Sequence, residues 1–305
     1  MLLHFGKQLF LLIFVEIKHC MYFSNYHSHC TFCDGRSSME DFVKFAVSRG
    51  IKKYGFSSHA PLPFLTQWTM LEDDFEDYEK EFYRLKEKHK DQIELFLGLE
   101  VDYIHGCSDI DNLFFKDKKL DYVIGSIHYL DKIAENEYWT IDGGFREFDE
   151  GLNLLFGGDI RKAVERFFEI SAFMIEKGGF DIVGHFDKIT MHGLRYRAFD
   201  VSHKWYVDLM KDALQLIKEK NLILEINTKS LAEKGLTFPH QSFYPIIKEL
   251  DIPIMVNSDC HYPTNVDAGF TQTYAALKSL GFKIMQQLTA SGWQAVEFDE
   301  KGLKL

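Results

Sequence analysis

Cysteine, proline and long apolar runs are all scarce in this chain of 305 residues, and each scarcity removes a class of protein. The cysteines, Cys20, Cys30, Cys33, Cys107 and Cys260, are odd in number and too few to staple a chain of this length, which points to a reducing cytoplasm without disulfides. Six prolines and 21 glycines beside 46% hydrophobic residues exclude a disordered chain and a collagen-like repeat. The longest apolar run, Leu9 to Val15, is closed by Glu16, Lys18 and His19. It falls far short of the roughly 20 residues of a spanning helix, and no small-residue cleavage site follows it. Basic residues are outnumbered, 35 Lys and Arg against 46 Asp and Glu for a formal charge of −11, and no stretch gathers enough of them to neutralise a phosphate backbone. No nucleic acid and no membrane are expected as partners. Repeats, low-complexity tracts and Pro/Ser-rich linkers are missing too, so composition marks no domain boundary. Met21 stands just before the first strand-like segment. Residues 1–20 are therefore expected to be an N-terminal extension outside the fold, and residues 21–305 a single domain.

What the chain does have is alternation. Short β-prone segments, Tyr22–His27, Lys53–Ser58, Ile93–Val101, Asp121–Ile127, Phe180–His185, Leu222–Asn227 and Ile252–Ser258, are separated by longer stretches with helical spacing. The capping-box-like Ser38-Met39-Glu40-Asp41 opens one helix, which stops at Gly50. Others fit Glu72–Lys90, Ile160–Lys177, Ser202–Lys220, Gln241–Leu250 and Ala268–Leu280, the first of them a solvated outer helix with Phe75, Tyr78, Phe82 and Leu85 on one face. Such an order predicts parallel strands with crossover helices. The stretch Asp131–Asp159 has little periodicity and reads as a long loop, a natural lid if the preceding strand ends in an active site.

Thirteen histidines are many for this length, and they fall in a pattern. The first strand candidate runs into His27-Ser28-His29, the second ends at His59, the third holds Glu100, the fourth ends at His128, the fifth at His185, and the seventh at Asp259-Cys260-His261. In a barrel of parallel strands those ends meet on one rim. Residues two apart point to the same face, so His27 and His29, or Asp259 and His261, reach one pocket, while Cys260 points away into packing. Burying so many imidazoles without a cation leaves them competing for few partners. A catalytic zinc takes about three protein ligands, so this set implies two or three divalent ions, with donors suited to Zn, Mn or Fe.

The motifs His27-x-His29, His59, Gly98-Leu99-Glu100, Gly125-Ser126-Ile127-His128, Gly184-His185-Phe186-Asp187, Glu225-Ile226-Asn227-Thr228 and Ser258-Asp259-x-His261 together resemble the polymerase and histidinol phosphatase (PHP) family, in its histidinol-phosphatase branch, over about residues 22–285. The resemblance implies an α/β fold, a distorted seven-stranded (β/α)7 TIM-like barrel of PHP type. It also implies a two- or three-metal centre that hydrolyses phosphomonoesters. Carried over by position, His27, His29, Glu100 and Asp259 hold one metal. Glu100 bridges to a second held by His128 and His185, and His59 and His261 hold a third. Many members supply a further His from the loop after the first strand; here that loop reads Cys30-Thr31-Phe32-Cys33-Asp34-Gly35, and Asp34 is the substitute. The Cys30-x-x-Cys33 pair has no second pair at ribbon spacing and is not read as a zinc ribbon or a redox dithiol.

Clustered divalent ions lower the pKa of bound water and clamp phosphoryl oxygens, so the expected chemistry is direct attack by metal-bound hydroxide with no protein nucleophile. Asp259 and Asp187 are the candidates to orient that water or relay a proton, Asp187 alternatively steadying a ligand histidine. Arg195, with Arg197 in reserve, is the candidate phosphate-binding cation, and Thr228 a hydroxyl donor. The branch implies L-histidinol phosphate as substrate, hydrolysed to L-histidinol and phosphate in histidine biosynthesis. For its imidazole and ammonium, Tyr138, Trp139 and Asp142 are the candidate contacts. The alternatives are another small phosphomonoester, a metal-dependent amidohydrolase and a non-catalytic metal-binding member.

Overall fold

The computed structural model describes residues 21–135 and 137–304. All seven strand candidates appear as β1 (Ser24–Asn25), β2 (Lys53–Phe56), β3 (Glu94–Asp102), β4 (Tyr122–Ser126), β5 (Ile182–Val183), β6 (Ile223–Asn227) and β7 (Ile254–Asn257). They form one sheet in sequence order, every neighbouring pair parallel. The two edges then meet: a parallel bridge joins Ser28 to Cys260, and the His29 amide donates to the Cys260 carbonyl at 3.0 Å. That contact closes the sheet into a barrel whose crossovers carry helices α1 (Met39–Ser48), α2 (Phe75–His89), α3 (Phe145–Phe156), α4 (Ile160–Lys177), α5 (Lys204–Glu219) and α6 (Tyr244–Glu249), except between β3 and β4, where the described residues form only the 3-10 turn Leu113–Phe115; α7 (Phe270–Ser279) follows the last strand.

Alternation along each strand sorts the side chains. In β3, Leu95, Leu97, Leu99 and Val101 pack outward against Phe42, Val43, Phe75, Tyr78, Phe82 and Leu85 of α1 and α2. Phe96 belongs instead to a separate lumen cluster with Tyr26, Tyr122, Ile124, Ile182, Ile223 and Met255. A glycine is required where these rings crowd the wall: a Cβ on Gly98 would stand 2.5 Å from the Tyr122 ring. The α1 start follows its sequence signal, Ser38 Oγ accepting from the Asp41 amide at 3.3 Å.

Three expectations need correction. The segment Tyr22–His27 is not one strand: Met21–Tyr22 pairs antiparallel with Gly302–Lys304, and only Ser24–Asn25 joins the barrel. The stretch Asp131–Asp159 is not a loop but a hairpin, Tyr129–Ala134 with Glu137–Thr140, followed by α3. Register shifts between Tyr129 and Ala134 break the period-2 signal there. The paired glycines frame the helix: the Gly144 amide is held at 3.0 Å by Glu147, and Gly157, at φ 61°, ends α3 in the left-handed conformation. Finally, the chain after α7 forms the strands Ile284–Thr289, Gly292–Asp299 and Gly302–Lys304, which had not been expected. Leu288 and Trp293 of this last hairpin join the lumen cluster, the Trp293 indole donating to Asp181 at 3.0 Å. Among the described residues no helix is long and apolar enough to cross a membrane. The proposed extension, residues 1–20, lies outside the described residues.

Candidate metal centre

Beyond the aromatic layer the inward positions of the same strands turn polar. Phe96 and Gly98 lead to Glu100 and Asp102, Tyr122 and Ile124 to Ser126 and His128, Ile223 to Glu225 and Asn227, and Met255 to Asn257 and Asp259; each of these polar groups is buried. Two places depart from simple alternation. Tyr26 and His27 both face the lumen although adjacent, the chain leaving strand conformation after Asn25. Past the two-residue β5, His185 and Asp187 have φ of 21° and 64°, and Asp259 after β7 has φ 48°. Left-handed backbone at non-glycine residues is strained, and here it aims the His185 ring at Glu100, Nε2 to Oε1 at 2.8 Å.

Eight of the nine expected ligands fall into shared groups; His185 is in none of them, its Nε2 lying against Glu100 instead. Donor atoms of His29, Asp34, His59 and His261 all lie within 4.8 Å of one another, as do those of His27, His29 and Asp259, and those of His59, Glu100 and His128. Glu100 is the hub: its Oε2 is 3.2 Å from His27 Nε2, 3.5 Å from His29 Nε2 and 3.1 Å from His59 Nδ1, and its Oε1 is 3.7 Å from His128 Nε2. Asp259 Oδ1 is 3.2 Å from His29 Nε2 and 3.8 Å from His27 Nε2. Asp34 Oδ1 is 3.2 Å from His261 Nε2 and 3.8 Å from His59 Nε2. His59 thus spans two of these groups, one ring nitrogen toward Glu100 and the other toward Asp34.

These contacts do not satisfy one another. His27 Nε2, His29 Nε2, Asp34 Oδ1, His59 Nδ1 and Glu100 Oε2 are buried and make no hydrogen bond among the described residues. The His27 case shows why. Its Nδ1 lies 2.7 Å from Glu225 Oε1, and a carboxylate there accepts the Nδ1 proton and turns Nε2 toward Glu100. At 3.2 Å that nitrogen and the Glu100 oxygen need a shared cation between them, a proton or a metal ion. His128 repeats the pattern, Nδ1 lying 2.7 Å from Asp102 Oδ1. Imidazole and carboxylate donors, buried, unpaired and aimed at common points, fit divalent transition-metal ions.

Without a metal ion the shared cation is a proton: against their burial, Glu225, Glu100 and Asp259 hold the His27 imidazole well above its ordinary value, and Asp102, Asp142 and Glu100 push His128 up to about 10. Burial alone would push the Glu100 carboxyl up, but His27, His59 and His128 outweigh it and hold it well below the usual carboxylate range. Asp259 is likewise held low against its burial by Lys229 and His27. Burial pushes the His29 imidazole well down, and His261 and His59 add to the effect, keeping it neutral and able to ligate.

Other candidates are placed less uniformly. Asp142 is at the site, its Oδ2 3.7 Å from His128 Nε2 and its Oδ1 buried without a partner. Asp187 is wholly buried, accepts from Tyr206 Oη and the His240 amide, each at 3.0 Å, and is pushed up to about 8 by desolvation. It belongs to none of the ligand groups. Thr228 Oγ1 donates to backbone carbonyls, Ala268 at 2.6 Å and Asn257 at 3.2 Å. Arg195 is exposed with its guanidinium 3.5 Å from the Phe145 ring, and Arg197 is exposed too. Trp139 is 1% exposed and packs on Phe148 and Phe156, so it is core and not a ring that faces a ligand. Tyr138 stacks on Phe64 at 5.4 Å, the outer end of an aromatic row that continues through Tyr129 to Trp68.

Sequence reasoning gave no role to several neighbours. Trp68 stacks over His59 at 6.0 Å, and no spacing in its loop announces it. Glu225, Asn227 and Asp102 orient the ligands, Asn227 Nδ2 donating to Asp259 Oδ2 at 3.2 Å; charged or amide residues at inward positions of a strand were the available signal. Cys33 Sγ lies 3.6 Å from His29 Nδ1, and Cys260, as expected, packs away from the ligands beside Tyr54. Lys188 and Lys229 reach the same pocket.

With this geometry in hand, the chain can be placed. The model of the PHP domain matches residues 25–229, more than half its length, and the chain belongs to that family. It is 28% identical over 258 residues to the histidinol-phosphatase of Bacillus subtilis, covering 79% of this chain and 94% of the relative. A Listeria monocytogenes structure, provisionally assigned as a histidinol phosphatase, superposes with a TM-score of 0.74 at 24% identity, covering 83% of this chain and 100% of that one. Histidinol phosphate phosphatase from Lactococcus lactis, solved with zinc, L-histidinol and phosphate, gives 0.67 at 19% identity over 92% and 98% of the two chains. These two structures share the barrel fold.

Proposed function

We propose that this protein is a metal-dependent phosphomonoesterase that converts L-histidinol phosphate and water to L-histidinol and phosphate, a step of histidine biosynthesis. The observation that carries the metal chemistry is the set of buried, unpaired nitrogen and oxygen atoms on His27, His29, Asp34, His59 and Glu100. The organic half of the substrate rests on similarity to the Bacillus subtilis histidinol-phosphatase over most of both chains.

Two or three divalent ions, Zn, Mn or Fe, would be held by His27, His29, Glu100 and Asp259, by Glu100, His128 and His185, and by Asp34, His59 and His261. Bound there, they would supply an acidified water and neutralise phosphoryl charge. The chain's own groups do the positioning. Glu225 and Asp102 fix which nitrogen of His27 and His128 faces the centre. Asn227 holds Asp259 Oδ2 at 3.2 Å, so that the carboxylate points inward. The Trp68 ring over His59 narrows access by water from that side. Asp142, beside His128, is the carboxylate available to an ammonium on the substrate.

We read residues 21–305 as one catalytic domain working in the cytoplasm on a small molecule, with residues 1–20 outside it. A protein starting at Met21 is expected to fold and turn over normally; loss of either refutes that boundary. The function itself is tested by assaying metal-reconstituted protein against a panel of phosphomonoesters. Histidinol phosphate should be preferred in kcat/KM. No turnover of it, with turnover of another phosphomonoester, refutes the substrate and leaves the chemistry standing.

A further inference from the structure

We propose that Lys188 and Lys229 are the cations that grip the phosphoryl group of the substrate, an assignment that rests on the phosphomonoesterase reading above and moves this role away from Arg195. A pocket of about 270 Å³ opens beside the ligand groups, and its wall includes Asp142, Lys188, Lys229, Lys234, Asp259 and His261. Lys188 is the more telling of the pair. Its side chain is 3% exposed, and its nearest carboxylate among the described residues, Asp142, is 3.8 Å from Nζ, beyond hydrogen-bond distance. Its ammonium lies over the Phe238 ring at 5.2 Å. A buried ammonium with no bonded anion is costly, and its position in the wall of a pocket beside a metal-binding set supplies the reason to keep it there. Lys229 stands at the mouth, 38% exposed, with Nζ 3.0 Å from Asp259 Oδ1.

Charge sets the ligand class. A bound anion in this pocket meets the ammonium groups of Lys188, Lys229 and Lys234, set against the carboxylates of Asp142 and Glu233, together with the metal ligands Asp259 and His261, so the fitting ligand carries more than one negative oxygen on a compact centre, as a phosphoryl group does. Lysine contributes compact point charges from separate directions, where arginine contributes a planar fork. Arg195 cannot share in this from where it stands: it is exposed, its guanidinium is on Phe145, and it takes no part in the pocket wall.

The test uses metal-loaded full-length protein and inorganic phosphate as the probe, titrated calorimetrically into the parent, Lys188→Gln, Lys229→Gln, the charge-keeping Lys229→Arg, and Arg195→Gln. Metal content is measured on every sample, and kcat/KM is measured for histidinol phosphate and for 4-nitrophenyl phosphate. Each Lys→Gln change is expected to weaken phosphate binding by about ten- to a hundredfold and to lower kcat/KM equally on both substrates. Lys229→Arg should recover part of the loss, and Arg195→Gln should stay within about threefold of the parent. Metal content separates this role from a merely structural one. Removing a cation beside the ligands leaves metal occupancy equal or higher, whereas a lysine that only braces Asp259 would lose metal when changed. Unchanged phosphate affinity in Lys229→Gln, or metal content falling in step with it, overturns the proposal even if Lys188→Gln fails to fold. A parent that binds no phosphate and hydrolyses no phosphomonoester overturns the underlying reading, and the clamp with it.

Discussion

The two ends of the barrel lumen are built from the same strands and have opposite chemistry. At one end Tyr26, Phe96, Tyr122, Ile223 and Met255 pack on Leu288 and Trp293. At the other, a few residues along the same inward rows, stand Glu100, His128, Glu225 and Asp259. Both ends are buried, but only the first satisfies itself. The aromatic end is complete once packed, while the rim keeps bare nitrogen and oxygen atoms that no neighbour answers. Stability and function are therefore spatially separable in this barrel, and each can be perturbed alone.

The sharpest break should come at the hub of the rim. Glu100→Gln keeps the shape and removes the charge that His27, His59 and His128 face, so turnover should fall by about 10³-fold while the thermal unfolding midpoint of the metal-free protein stays within a few degrees of the parent or rises. Elemental analysis should show metal lost; full activity would remove Glu100 from the centre. At the opposite end, Phe96→Ala should cost about 3–5 kcal/mol of unfolding free energy, read from denaturant titration of the metal-free protein, with metal stoichiometry of the folded fraction unchanged. A larger effect on metal than on stability would show that the two ends are coupled. Smaller is Glu225→Gln, which leaves every ligand in place but loosens the tautomer of His27; metal affinity should drop about 10–100-fold by competition with a chelator. Smallest is Asp34→Ala, at the more open edge where Asp34 is 25% exposed; it should weaken one metal by about tenfold and spare the pair around Glu100. An unchanged stoichiometry under limiting metal would show that Asp34 is not a ligand.

The same contrast explains how far the sequence could be read. Ligand positions were legible because they obey two rules at once: they end β-prone segments, and they are residue types that rarely sit buried without a partner. His27, Glu100, His128 and Asp259 satisfy both. The seven strands were legible for the same reason, since an apolar outer face and a helix-length spacer recur between them. Legibility failed where the rules are broken by backbone rather than by composition. The register shifts of the Tyr129–Ala134 hairpin erase alternation, so a hairpin and α3 read as loop and Trp139 as a substrate contact, although it is core. The cation in the pocket was sought among arginines by type. Lys188 follows the left-handed Asp187, and no period-2 or period-3.6 rule says where a residue placed there will point. Trp68 lies in an irregular segment between β2 and α2, where sequence spacing carries no direction at all.

The lumen plug comes from near the end of the described chain. Leu288 and Trp293 belong to a hairpin later in sequence than every barrel strand, and the Met21–Tyr22 strand waits for Gly302–Lys304 as its partner. During synthesis the seven strands are thus all made before the piece that fills their floor. Until then the barrel is a tube open at the bottom, with Tyr26, Phe96 and Tyr122 facing water. The metal ligands are at the far mouth, and none of them belongs to the cluster that packs on that hairpin. A ribosome-stalled chain ending before Ile284 should therefore carry every ligand yet unfold more readily than the finished chain, the loss falling on stability and not on the metal centre.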